Sequence, residues 1–140
     1  MSTVKRAAAL AATLAATAAL ALAAPAAAGA APTGDNSNAS VSGVQSVPAG
    51  GGELDCASGN VCLYTGFNGG GTRFDLYYYK TYSLNGWNGV GSWVNNQTGQ
   101  AYAKITDRNG NLLTGSYAPS AWASYDFAPA WYVTLCPSAC

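Results

Sequence analysis

Histidine is absent from all 140 residues, which removes the side chain most often used as general base, as zinc ligand, or as partner of a nucleophilic Ser or Cys. Charge is scarce too: Lys and Arg number 6 in all, and Asp and Glu 6. There is no cluster of cations to track a phosphate backbone or an anionic lipid surface, so nucleic-acid and membrane-surface partners are excluded. The acids Glu53, Asp55, Asp75, Asp107 and Asp126 show no spacing that singles out an acid–base pair, and they read as solvated surface charges. Gly69-Gly70-Gly71 is followed by no Lys-Ser/Thr and opens no helix, so it is a turn and not a phosphate loop. Neither an enzyme nor a cofactor or metal is expected.

Long apolar runs are also missing, with one exception at the start. Lys5 and Arg6 precede Ala7 to Ala24, an uncharged stretch of Ala and Leu with two Thr, and small residues follow up to Ala31. This is the layout of a cleavable signal peptide over residues 1–30. The cut after Ala30 keeps Pro32 out of the first mature position; a cut after Ala28 is the alternative. A retained anchor is the competing reading, but Ala contributes little transfer energy at the bilayer centre. Export then leaves four basic residues, Arg73, Lys80, Lys104 and Arg108, against six acidic ones, a net charge of −2. The product is expected to be secreted, extracellular and monomeric, with no membrane contact after cleavage.

Residues 31–52 hold no aromatic residue and end in Gly50-Gly51-Gly52, so they read as a flexible leader that buries too little apolar surface to order itself. All 16 aromatic residues lie between Tyr64 and Tyr132, which places one folded domain at 53–140. A domain of that size gains from cross-links. The four cysteines, spaced Cys56-x5-Cys62 and Cys136-x3-Cys140, supply them in an oxidising compartment. Of three possible pairings, the two local ones are expected; a zinc site of four thiolates competes, although neither spacing is that of a zinc knuckle.

The strand signals are short aromatic and β-branched runs at 61–65, 72–78, 92–95, 101–107, 112–114, 123–127 and 131–135, mostly separated by Gly, Asn or Pro. Asn109-Gly110 predicts a hairpin through a type I′ turn. Gly91-Ser92-Trp93-Val94-Asn95 and Ala123-Ser124-Tyr125-Asp126-Phe127 echo one another weakly, as two four-stranded motifs packed in a sandwich would require. The expected class is therefore all-β.

Cys56-x5-Cys62-Leu63-Tyr64, then Phe67-Asn68-Gly69-Gly70, then Ser92-Trp93-Val94-Asn95-Asn96-x-Thr98-Gly99 resembles the secreted actinobacterial peptidase-inhibitor family of the Streptomyces metalloproteinase inhibitor type, over about Leu54 to Ile105. The resemblance implies a small Greek-key, βγ-crystallin-like sandwich. It also implies structural roles: Tyr64 as the aromatic before a folded-over hairpin that packs on it, Gly69 at backbone angles closed to other residues, and Ser92 as the hydroxyl that satisfies the hairpin backbone, with Phe67 as a further residue of the motif. Calcium binds such folds through a loop that here reads Trp87-Asn88-Gly89-Val90-Gly91-Ser92, with two oxygen donors lost, so no tight calcium site is expected. Asp107-Arg108-Asn109-Gly110-Asn111 has its Gly misplaced for a calcium loop and is a turn.

The function this implies is binding of an extracellular protease through a rigid, disulfide-clamped surface. The reactive site does not carry over, because the second cysteine pair encloses only Pro137, Ser138 and Ala139. A second reading is a carbohydrate or cell-envelope binding module using Tyr77-Tyr78-Tyr79, Tyr82, Trp87 and Trp93. A third is a toxin-like or purely structural crystallin relative.

Overall fold

Alternation of apolar and polar residues, punctuated by Gly and Asn, gives ten strands among the described residues. They are β1 (Ser40–Val41), β2 (Ser46–Pro48), β3 (Val61–Tyr64), β4 (Thr72–Leu76), β5 (Thr81–Asn85), β6 (Val90–Asn95), β7 (Tyr102–Thr106), β8 (Leu112–Tyr117), β9 (Ser120–Asp126) and β10 (Tyr132–Cys136). The structure is a computed structural model and describes residues 34–50 and 54–140. The expected signal peptide, 1–30, lies outside the described residues.

Two five-stranded sheets result, in the orders β1-β5-β10-β7-β8 and β2-β4-β3-β6-β9, and all their strand pairs are antiparallel. The chain writes two successive four-strand units, β3 to β6 and β7 to β10. In each unit the third strand leaves its own sheet for the other: β5 joins β10, and β9 joins β6. Neither unit is complete alone, because each sheet needs a strand from the other half.

The core lies between the sheets. Val61, Leu63, Phe74, Leu76 and Trp93 point inward from one sheet, and Tyr82, Leu84, Ala103, Ile105, Val133 and Leu135 from the other, all in one buried cluster. Period-two alternation puts Cys62 and Tyr64 on the opposite face of β3. They are nonetheless buried with Val94, because Ala49, Leu54 and Cys56 cover that face.

Four sequence expectations change. First, residues 34–50 are not a flexible leader: β1 pairs with β5, β2 pairs with β4, and Val41 and Asn36 are buried. Composition gave too little apolar surface for self-ordering, but these residues add themselves to sheets that already exist. Asn36 fixes them with four hydrogen bonds, donating from Nδ2 to Thr65 O and Val90 O and accepting at Oδ1 from the Asn88 and Gly89 amides.

Second, Thr81–Asn85 is a strand not expected from sequence, and it buries Tyr82 and Leu84. Third, the β7–β8 hairpin exists but its turn is not type I′. Among the described non-glycine residues only Asn68 has positive φ, while Gly110 alone of the Asn109-Gly110 pair is left-handed, at φ 83°. Asp107 organises the turn instead. Its Oδ1 accepts from the Asn109 and Asn111 amides, both at 2.8 Å, and Gly110 N–H bonds to Asp107 O at 3.1 Å. The Asn111 side-chain amide on Oδ2, with these backbone donors, holds the Asp107 carboxyl below its ordinary range. Fourth, the echoing stretches occupy different positions in their units. They face each other across one sheet, with Gly91 opposite Tyr125 in the β6–β9 register.

Candidate functional site

Strand β6 carries the polar residues that tie the loops of this sheet together. Ser92, fully buried, accepts from Gly69 N–H at 2.8 Å and donates from Oγ to Gly66 O at 2.8 Å. The hairpin between β3 and β4 is thereby folded over and latched. Gly69 occupies φ 76°, where any Cβ is strained, so the turn needs glycine there. Further along, Asn95 Nδ2 donates to Ser116 O at the β8–β9 corner. Asn96 donates from Nδ2 to Cys56 O at 2.7 Å and exchanges backbone hydrogen bonds with Gly59 and Asn60. Strand β6 and the residue that follows it therefore staple a hairpin, a corner and a disulfide loop.

Both disulfides are local: Cys56–Cys62 and Cys136–Cys140, and the described residues contain no free cysteine. The first closes the loop held by Asn96. The second closes the turn after β10, where Lys104 Nζ donates to Cys140 O at 2.9 Å. Beside the first disulfide, Arg73 bridges two carboxylates. Its Nη1 meets Asp55 Oδ2 at 2.9 Å, and its Nε and Nη2 meet Asp75 at 2.8 and 3.0 Å. The Tyr64 phenol beneath is pushed up to about 12, first by burial and then by the Asp55 charge.

The carboxylates are absorbed by the scaffold. Asp55 and Asp75 hold Arg73, Asp107 caps its hairpin, Asp35 caps Ser37, and Asp126 accepts from Ala128 N–H. No group of three or more His, Cys, Asp or Glu converges among the described residues. No helix among them is long and apolar enough to cross a membrane.

Residues 49–115 match the model of peptidase inhibitor family I36. The sequence resemblance to inhibitors of the Streptomyces metalloproteinase inhibitor type is thus borne out at family level. No curated protein and no solved structure matches the chain. The family I36 segment contains the first disulfide, the latched hairpin and strands β3 to β7, and it ends inside β8. The second disulfide lies outside it.

Against this segment the predicted structural residues sort clearly. Ser92 and Gly69 meet through a hydrogen bond. Phe67 opens the one-turn 3-10 segment Phe67–Gly69 but is 65 % exposed. Tyr64 is buried, in the cluster with Cys62 and Val94 under Ala49 and Leu54. Trp87 and Trp93, proposed as part of an exposed aromatic surface, are core residues. Trp93 stacks flat on Trp122 at 4.1 Å, and Trp87 packs on Phe74 and Phe127. Asn36 carries no sequence signal of its role, whereas Asn96 stands in the Ser92-Trp93-Val94-Asn95-Asn96 stretch that carries the family resemblance, although its hold on Cys56 O shows only in the structure.

Proposed function

We propose that this chain is a secreted peptidase inhibitor that binds an extracellular protease through a rigid, disulfide-clamped surface. The observation that carries the reading is the family I36 match over residues 49–115, which contains the Cys56–Cys62 loop. Stiffness is what inhibition demands physically. A loop already held in its bound shape loses little entropy on docking, and it resists the distortion that cleavage needs. Asn96, Ser92 and the disulfide supply that stiffness here.

Secretion belongs to the same reading, supported by the Lys5-Arg6 and alanine-leucine start and by paired cysteines. So does the kinship with βγ-crystallin-like Greek keys, supported by the exchange of third strands between the two four-strand units.

The test is titration of the purified, oxidised protein against one metalloprotease and one serine protease. Stoichiometric loss of activity of one of them is expected, abolished when the disulfides are reduced. Full activity of both enzymes in excess protein would overturn the proposal.

A further inference from the structure

The loop joining β4 to β5 is Tyr77-Tyr78-Tyr79-Lys80, and its three tyrosines are 62, 69 and 52 % exposed. Three consecutive large aromatics in solvent are unusual on a small soluble protein and mark a contact surface. The loop is also fixed. Tyr82 Oη accepts from Tyr78 N–H and donates to Tyr78 O, each at 3.0 Å, while Lys80 O accepts from Leu135 N–H. Tyr77 and Tyr78 pack edge to face at 5.3 Å. The loop backbone is therefore held in a set geometry, and Tyr77 and Tyr78 are presented against one another.

Tyr77 and Tyr78 form a ridge between two clefts. On one side, a cleft of about 190 Å³ is closed by Tyr79, Thr98 and Gly59. Gly59 belongs to the loop inside the Cys56–Cys62 disulfide, and a Cβ placed there would meet the Tyr77 ring at 3.6 Å. On the other, a cleft of about 380 Å³ reaches Gln45, Asp75 and Lys80. The linings combine ring faces, hydroxyls and one amide. Charge is nearly neutral: Asp75 is paired with Arg73, and the Lys80 ammonium lies over the Tyr82 ring at 4.7 Å.

We propose that this ridge and its two clefts bind a neutral polysaccharide, with sugar rings laid against Tyr77 and Tyr78 and sugar hydroxyls met by Tyr79, Thr98 and Gln45. Pyranose rings present C–H faces that stack on aromatics and a rim of hydroxyls that need donors and acceptors, which is the chemistry gathered here. An anionic ligand would require clustered cations, and Lys80 alone does not provide them. Two clefts sharing one ridge suit a chain that passes across, not a single enclosed sugar. A chain bound there would hold the protein at a cell wall or a polymer.

The experiment is retention of the purified chain on three insoluble neutral polymers, cellulose, chitin and β-1,3-glucan. Wild type is expected to be retained on at least one polymer. Tyr77→Ala and Tyr78→Ala should each weaken retention about tenfold, while Leu112→Ala, an exposed apolar residue elsewhere, leaves it unchanged. Both tyrosine variants should keep their melting temperature, since the side chains removed are exposed. No retention on any of the three polymers overturns the proposal. So does retention indifferent to the tyrosines.

Discussion

At the scale of single residues, buried polar side chains are worth more than their small number suggests, because each has several partners. Asn36→Ala would leave two carbonyls and two amides unmet, and Ser92→Ala would leave the Gly69 amide and the Gly66 carbonyl unmet. Each is expected to cost roughly 1–3 kcal/mol, read as a lower urea midpoint. An unchanged midpoint for Asn36→Ala would show that residues 34–50 do not dock. Tyr64 and Tyr125 give a pH signature. Burial, with Asp55 near one and Asp126 near the other, raises both phenols from 10.0 to about 12. The folded state thus favours the neutral phenol. The associated stability is fully present below pH 10 and is lost as pH rises through about 12. Alkaline unfolding in that window is expected, with the transition displaced to higher pH in Tyr125→Phe.

At the scale of elements, turns depend on backbone angles as much as on contacts. Gly110 sits at φ 83° with open space where a Cβ would go. Gly110→Ala should therefore cost about 1 kcal/mol through the backbone alone, with no steric contribution. A variant as stable as wild type would mean that the hairpin relaxes to another turn. The tyrosine loop shows the opposite case. Sequence alone extends the preceding strand to Tyr78, but β4 stops at Leu76 because the chain must cross to the other sheet, and Tyr77 to Tyr79 are left outside.

At the scale of the whole molecule, interleaved sheets make distant segments depend on each other, and the disulfides act where the chain ends or turns. In the chain-entropy account each short loop is worth about 2 kcal/mol. The two bridges should nevertheless differ in cost. Cys62 is fully buried under Leu54 and Ala49, whereas Cys140 is exposed. Replacing Cys56 and Cys62 by Ala is thus expected to lower the melting temperature more than replacing Cys136 and Cys140. Equal losses would indicate that loop closure alone, and not packing, sets their value.

Much of this was legible in the residues themselves. Alternating aromatic and β-branched runs fixed the all-β class, cysteine spacing indicated two local bridges, and the Cys-x5-Cys, Gly69 and Ser92 pattern pointed to the inhibitor family. These signals are local, and local backbone and side-chain chemistry is enough to produce them. Other features depended on partners far along the chain. The Gly- and Ser-rich residues 34–50 become strands only because open sheet edges await them. Trp87 and Trp93 look like surface aromatics until the second sheet covers them. The exposed tyrosines take their place because β5 is pulled into the opposite sheet, and long-range strand exchange of that kind leaves no periodicity in the residues it rearranges.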